Sequence, residues 1–180
     1  MSSSPRVADL WETLAGAAAR ESELWAHSLL PSHERQLVAV FSALASERLA
    51  LGLETIYEGY LVHYGRPRLF APAERDTVLL LGDHLYAHGL VRVAAVASAA
   101  AVADLAELIS LCAYLRAEGR AGDGAAWAGT AALLGRDDLE PAREALRGRG
   151  DDGLLLALAR GAAGADAVER ALAAHSARVG

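Results

Sequence analysis

No lysine and no asparagine occur in the 180 residues, so all 17 basic side chains are arginine, set against 23 acidic ones. A formal net charge of −6 leaves no basic face for a phosphate backbone, and nucleic acid is not expected as a partner. Cysteine is reduced to Cys112, which excludes an internal disulfide. Set among Leu108, Ile109, Leu111 and Leu115, it reads as a small buried hydrophobe rather than a nucleophile, because buried structural thiols are inert. Long apolar runs are also missing. A charge-free one over residues 93–103, between Arg92 and Asp104, is alanine-rich and well short of the ~20 residues that span a bilayer. The start, Met1-Ser2-Ser3-Ser4-Pro5 with Asp9 and Glu12 soon after, carries no basic-then-apolar leader. A cytoplasmic protein with no transmembrane segment is the expectation.

Alanine and leucine dominate what is present, glycine and proline fall mainly between apolar blocks, and strong helix formers fill those blocks. The composition predicts an all-α protein, and the length suits one domain with one sizeable core. Ser4 and Pro5 signal a helix start, with Val7, Leu10, Trp11, Leu14 and Ala18 at helical spacing, so a first helix is expected to residue 28. Ser32 is expected to cap a second, carrying Leu37, Val38, Val40, Phe41, Leu44, Leu49 and Leu53 toward Tyr60, with bends at Gly52 and Gly59. Gly65-Arg66-Pro67-Arg68 and Pro72 close it. Further helices are predicted from about residue 73 toward 100 and over 102–118. Beyond Arg120 the pattern weakens, with short helices expected to begin at Asp137-Asp138 and Asp151-Asp152, where carboxylates suit a helix N-terminus.

The most specific motifs lie between residues 54 and 90. Glu54-Thr55-Ile56-Tyr57-Glu58 is followed by Gly65-Arg66-Pro67 and then by Gly82-Asp83-His84-Leu85-Tyr86-Ala87. This order and spacing resembles the segment around the first aspartate-rich motif of trans-polyprenyl diphosphate synthases, and the likeness extends over residues 32–116. In that family Asp-Asp-x-x-Asp precedes an arginine pair leading into Gly-Arg-Pro, and Gly-Asp-x-Leu-x-Ala follows. The resemblance implies a single-domain helical bundle of the isoprenoid-synthase type, truncated. It divides the chain into an N-terminal helix (1–31), an isoprenoid-synthase-like core (32–119) and a short-helix C-terminal region (120–180).

The family's chemistry needs Mg2+ on clustered carboxylates and cations on the diphosphate. Here Thr55 removes the middle carboxylate, and His63 and Tyr64 replace the arginine pair. Ser32-His33-Glu34-Arg35 keeps one cation where the family has several. Neither Asp137-Asp138-Leu139-Glu140-Pro141 nor Asp151-Asp152-Gly153-Leu154-Leu155 restores a second aspartate-rich motif. The resemblance therefore implies a small non-catalytic subunit of a heteromeric synthase, shaping the elongation tunnel of an aspartate-rich partner. No catalytic residue is assigned and no cofactor is expected for this chain itself, Mg2+ belonging to the partner. Glu54 and Glu58 form the degenerate motif, and Arg66 and Arg68 are candidate contacts for an isoprenoid diphosphate. Gly65, Pro67, Gly82 and Asp83 are its structural positions, while Ala50 and Tyr57 are candidate tunnel residues. Residues 76–116 correspond to the family's subunit interface, where small side chains suit close packing.

Blander readings stand beside these. Glu54 and Glu58 share a helix face and could hold a single metal. Arginines beside a helix terminus often satisfy its carbonyls. Asp83 reads as a structural acceptor as well as a motif residue, and Ala50 as simple helix packing. Trp11, Trp25, Tyr57, Tyr60, Tyr64 and Tyr86 could line a tunnel or form core. His84 and His88, four apart, have metal-compatible spacing but no evident third ligand, so no metal is assigned. Two other functions remain open: a stand-alone helical protein binding an isoprenoid, a lipid or another partner, and a divergent active prenyltransferase homodimer.

Overall fold

The computed structural model describes residues 5–136 and 139–179. They form nine α-helices and no strand, apart from one antiparallel bridge between Leu29 and Phe70. The protein is all-α, as its composition predicts. Ser4, the expected first cap, and the Asp137-Asp138 helix start lie outside the described residues.

The expected first helix is two. α1 (Pro5–Glu21) stops where Ser22 turns extended, and the Ser22 hydroxyl accepts the Leu24 N–H at 3.1 Å to open α2 (Glu23–Ser28). A serine at an N-cap satisfies an amide that the preceding helix cannot. The second expected helix is corrected more deeply. Residues 32–34 make one 3-10 turn, 35–40 run irregularly, and two more 3-10 turns precede α3 (Ala50–Tyr64). The physical cause is competition for the backbone: Glu54 takes the N–H groups of Val40 and Ser42, and Arg68 takes the Val38 carbonyl.

α3 and α4 (Arg75–Ala94) form an antiparallel hairpin packed through glycine. Gly52 meets Gly89, and one heptad further along Gly59 meets Gly82. A Cβ on Gly89 would stand 2.9 Å from the Gly52 carbonyl oxygen, and one on Gly59 would stand 2.9 Å from that of Gly82. Real Cβ atoms do not approach backbone so closely, so the two helices lie nearer than any larger side chain would permit. Gly52 and Gly59, read from sequence as bends, are contact positions. Gly82 of the Gly-Asp motif owes its place to the same crossing.

α5 (Ala99–Ala117) is capped by Ser98, which accepts the Ala101 N–H. The C-terminal region is far from weak. α6 (Asp123–Leu133), α7 (Glu140–Arg149), α8 (Gly153–Ala163) and α9 (Ala165–Val179) pack together, and residues 124–131 of α6 are all buried. Gly129 admits Leu155, whose Cδ2 would lie 2.8 Å from an added Cβ. The main core joins Phe41, Tyr57 and Tyr60 to Trp127, Leu155 and Val168, while a second cluster holds α1 and α2 to the hairpin through Trp11, Trp25, Phe70 and Leu85. Cys112 is fully enclosed and burial pushes its thiol up, in keeping with a structural role.

Candidate functional site

The acid pair faces inward. Glu54 and Glu58 lie on successive turns of α3, and both converge on Arg68, which is itself buried. Glu54 Oε2 accepts from Arg68 Nη1 at 2.5 Å, while Glu54 Oε1 accepts the N–H groups of Val40 and Ser42, each at 3.2 Å. Glu58 repeats the pattern: Oε2 accepts from Arg68 Nε at 2.9 Å, and Oε1 accepts the N–H groups of Arg68 and Leu69 at 2.8 and 2.7 Å. The guanidinium lies between the rings of Trp11 and Tyr57, at 4.6 and 5.0 Å from their centroids. Burial alone would lower the Arg68 pKa, but the Glu54 and Glu58 carboxylates outweigh it and hold the guanidinium charged.

Every carboxylate oxygen of the degenerate motif is thus engaged by protein donors. A cation at this place would have to displace Arg68. Arg68 has no exposed donor for a diphosphate and is a structural centre instead. Tyr57 is likewise core, edge-on to Phe41 and Trp127. Ala50 does border a cleft, a largely apolar one of about 250 Å³ shared with Leu10, Trp11 and Ala39.

Arg66 fares differently. With Pro67, Gln36, Ala174, Ala177 and Arg178 it lines a cleft of about 340 Å³ between the turn after α3 and the end of α9. Arg66 donates to the Ala177 carbonyl, and Arg178 donates to Gln36 Oε1 at 3.0 Å. Burial and then the nearby Arg68 charge press the Arg178 pKa below its ordinary value, against the pull of Tyr57 and Glu58. Gly65 lets this turn meet α9, since a Cβ there would lie 2.9 Å from Val179 Cγ1.

A third constellation, unseen in the sequence, joins α3, α5, α6 and α9. Asp123 at the start of α6 accepts from the Tyr60 hydroxyl and from Arg116, and Arg116 also donates to the Tyr60 oxygen. His175 Nδ1 lies 3.0 Å from the Tyr57 hydroxyl, and its buried Nε2 points to Asp123 Oδ2 at 3.7 Å, beyond a hydrogen bond. Burial would raise the Asp123 carboxyl, but His175, Tyr60 and Arg116 outweigh it and hold it well below the usual carboxylate range. Burial keeps both tyrosine hydroxyls protonated. Asp123 and His175 border a cleft of about 330 Å³ with Leu156, Leu172 and Val179.

Asp83 is solvent-exposed, with Oδ1 3.2 Å from His63 Nε2. His84 and His88 point from α4 toward Glu21 at the end of α1. Among the described residues no helix is long and apolar enough to cross a membrane. Compared with protein-family models, curated proteins and solved structures, the chain has no significant match.

Proposed function

We propose that this chain is a non-catalytic helical protein that works by docking on a protein partner through the outer face of α4. The observation that carries this reading is the division of labour within α3 and α4. Their inner faces are committed to the glycine crossing and to the Glu54–Arg68–Glu58 cluster, which closes the acidic motif to metal. The outer face of α4 leaves Leu80 57% and Val91 69% exposed, with Leu79 and Val96 also exposed nearby. Leu80, Ala87 and Val91 stand seven and then four residues apart, a single helical stripe. Exposed apolar side chains on one side of a folded helix favour burial against another protein, at ~25 cal/mol per Å² before the costs of association.

The partner that the sequence resemblance supports is an aspartate-rich polyprenyl diphosphate synthase, which would supply the carboxylates and Mg2+. The stripe lies within residues 76–116, the part of the chain that the resemblance equates with a subunit interface. The test is co-expression with such a synthase, followed by Mg2+-dependent elongation of an allylic diphosphate by each protein alone and by the mixture. A complex with activity or longer products only in the mixture supports this partner. Separate elution with unchanged products removes it and leaves docking on a different protein.

A second reading rests on the Arg66–Arg178 cleft, whose paired cations suit an anionic head such as a diphosphate. Saturable binding of inorganic pyrophosphate by the isolated chain, weakened at least ~tenfold (about 1.4 kcal/mol) in Arg66→Ala, favours a stand-alone isoprenoid- or lipid-binding protein. No saturable binding rejects it.

A further inference from the structure

We propose that Glu21, His84 and His88 form a binding site for a borderline divalent cation, with zinc the best fit, joining α1 to α4. The two histidines are four residues apart on α4, so their imidazoles rise from successive turns of one face, with ring centroids 4.2 Å apart. Sequence spacing alone gave no third ligand. The fold provides one from 63 residues upstream: Glu21 Oε2 lies 3.8 Å from His84 Nε2 and 3.2 Å from His88 Nε2. The three ligand atoms all fall within 4.8 Å of one another.

These separations suit a single ion. At Zn–N and Zn–O lengths of ~2.0–2.2 Å, tetrahedral ligand atoms stand roughly 3.3–3.5 Å apart. The two histidine–Glu21 separations, 3.8 and 3.2 Å, already lie within about half an ångström of that spacing. Two imidazoles and one carboxylate select zinc and its transition-metal neighbours over Mg2+ or Ca2+, which prefer all-oxygen shells. Glu21 and His88 are partly exposed, leaving a fourth position open to water or to a group on another molecule.

The surroundings favour the ligating form. His84 packs on the Trp25 ring, with centroids 5.3 Å apart, which restrains its orientation. Burial, then the proximity of His88, lowers its pKa against the pull of Glu21, a direction that favours the neutral, ligating imidazole. The opposing charge is Arg92, whose guanidinium is turned toward Thr55 Oγ1 at 2.5 Å. Glu21 immediately precedes Ser22, where α1 breaks, so a bound ion would pin that junction to the hairpin.

The test uses the tag-free full chain, titrated with Zn2+ against a chromophoric chelator, and separately with Co2+ followed by visible absorption. One Zn2+ per chain with a Kd of about 1 μM or tighter is expected, together with intense tetrahedral Co2+ bands and no competition from millimolar Mg2+. Thermal unfolding should shift upward by several degrees in Zn2+, through preferential binding to the folded state. His88→Ala and Glu21→Gln alter partly exposed positions and should fold normally while weakening Zn2+ at least ~tenfold. Absence of saturable binding in the wild type overturns the assignment. So does a His88→Ala chain that binds Zn2+ as tightly as the wild type, which would place the ion on other histidines.

Discussion

Arg68 Nη1 stands 2.5 Å from Glu54 Oε2, binding the turn after α3 back onto the helix that it leaves. Glu58 meets the same guanidinium one helical turn on, so two acidic residues spaced for metal chemistry serve a single buried cation. Their remaining oxygens take four backbone N–H groups from two irregular segments. The cluster thereby supplies hydrogen bonds to backbone that lies outside the α-helices.

Arg68→Met should therefore be among the most damaging single changes. It leaves two buried carboxylates facing each other and frees the Val38 carbonyl. The expected loss is about 3–5 kcal/mol, since removing one partner strands uncompensated buried charge. Urea unfolding measures it. A loss below about 1 kcal/mol would mean that water already reaches the cluster.

The glycine crossing gives a paired prediction. Gly89→Ala drives a Cβ to 2.3 Å from Ile56 Cγ1 and 2.9 Å from the Gly52 carbonyl, so the hairpin must part. A destabilisation of roughly 1–3 kcal/mol is expected for such overpacking. Gly161→Ala, in α8 with nothing within 4 Å of the new methyl, should instead stabilise by about 0.4–1 kcal/mol. Thermal melts of the two variants should move in opposite directions.

Acid sensitivity should centre on Asp123. Its carboxyl titrates lower in the folded chain than in the unfolded one, so the unfolded state binds the proton more readily. The contribution is complete above the ordinary carboxylate pKa of ~3.9 and is lost as pH falls through the folded value. Stability measured between pH 5 and pH 2 should fall less steeply in Asp123→Asn than in the wild type, although the variant starts lower. Parallel slopes would show that other carboxylates govern the acid limb.

The all-α class was legible because alanine, leucine, arginine and glutamate fill the blocks between glycines and prolines. The crossing of α3 with α4 was not legible, because Gly52 and Gly59 look like bends until Gly89 and Gly82 are brought against them. Residues 32–49 were misread as helix because Leu37, Val38, Phe41, Leu44 and Leu49 fit a helical period. Nothing local shows that Glu54 will capture the amides of Val40 and Ser42. The deep burial of α6 was hidden by its glycines, which weaken a helical signal while permitting close neighbours. Glu54 and Glu58 were visible as a pair, but Arg68 appeared as a free cation because only the folded turn aims it inward. Asp123 with His175 and Glu21 with His84 were invisible for a simpler reason: each pair is separated by more than 50 residues of chain.

The docking reading makes its sharpest prediction on the outer face of α4. Leu80→Asp with Val91→Asp places charge on two exposed positions that contribute little to the core, so the melting temperature should stay within a few degrees of wild type. Association should suffer far more. Two buried aspartates without partners in an apolar contact would weaken a complex by at least ~tenfold each, about 1.4 kcal/mol apiece or more. Co-purification of the double variant with an aspartate-rich synthase, or with whichever protein the wild type retains, should be lost while circular dichroism stays unchanged. Alanine at the same two sites should give an intermediate result, because it removes contact area without adding a desolvation penalty. If the aspartate variant binds as well as the wild type, the partner sits elsewhere. Another exposed apolar pair, Leu37 and Val38 in the irregular segment beside the Arg66–Arg178 cleft, would then be the face to alter next.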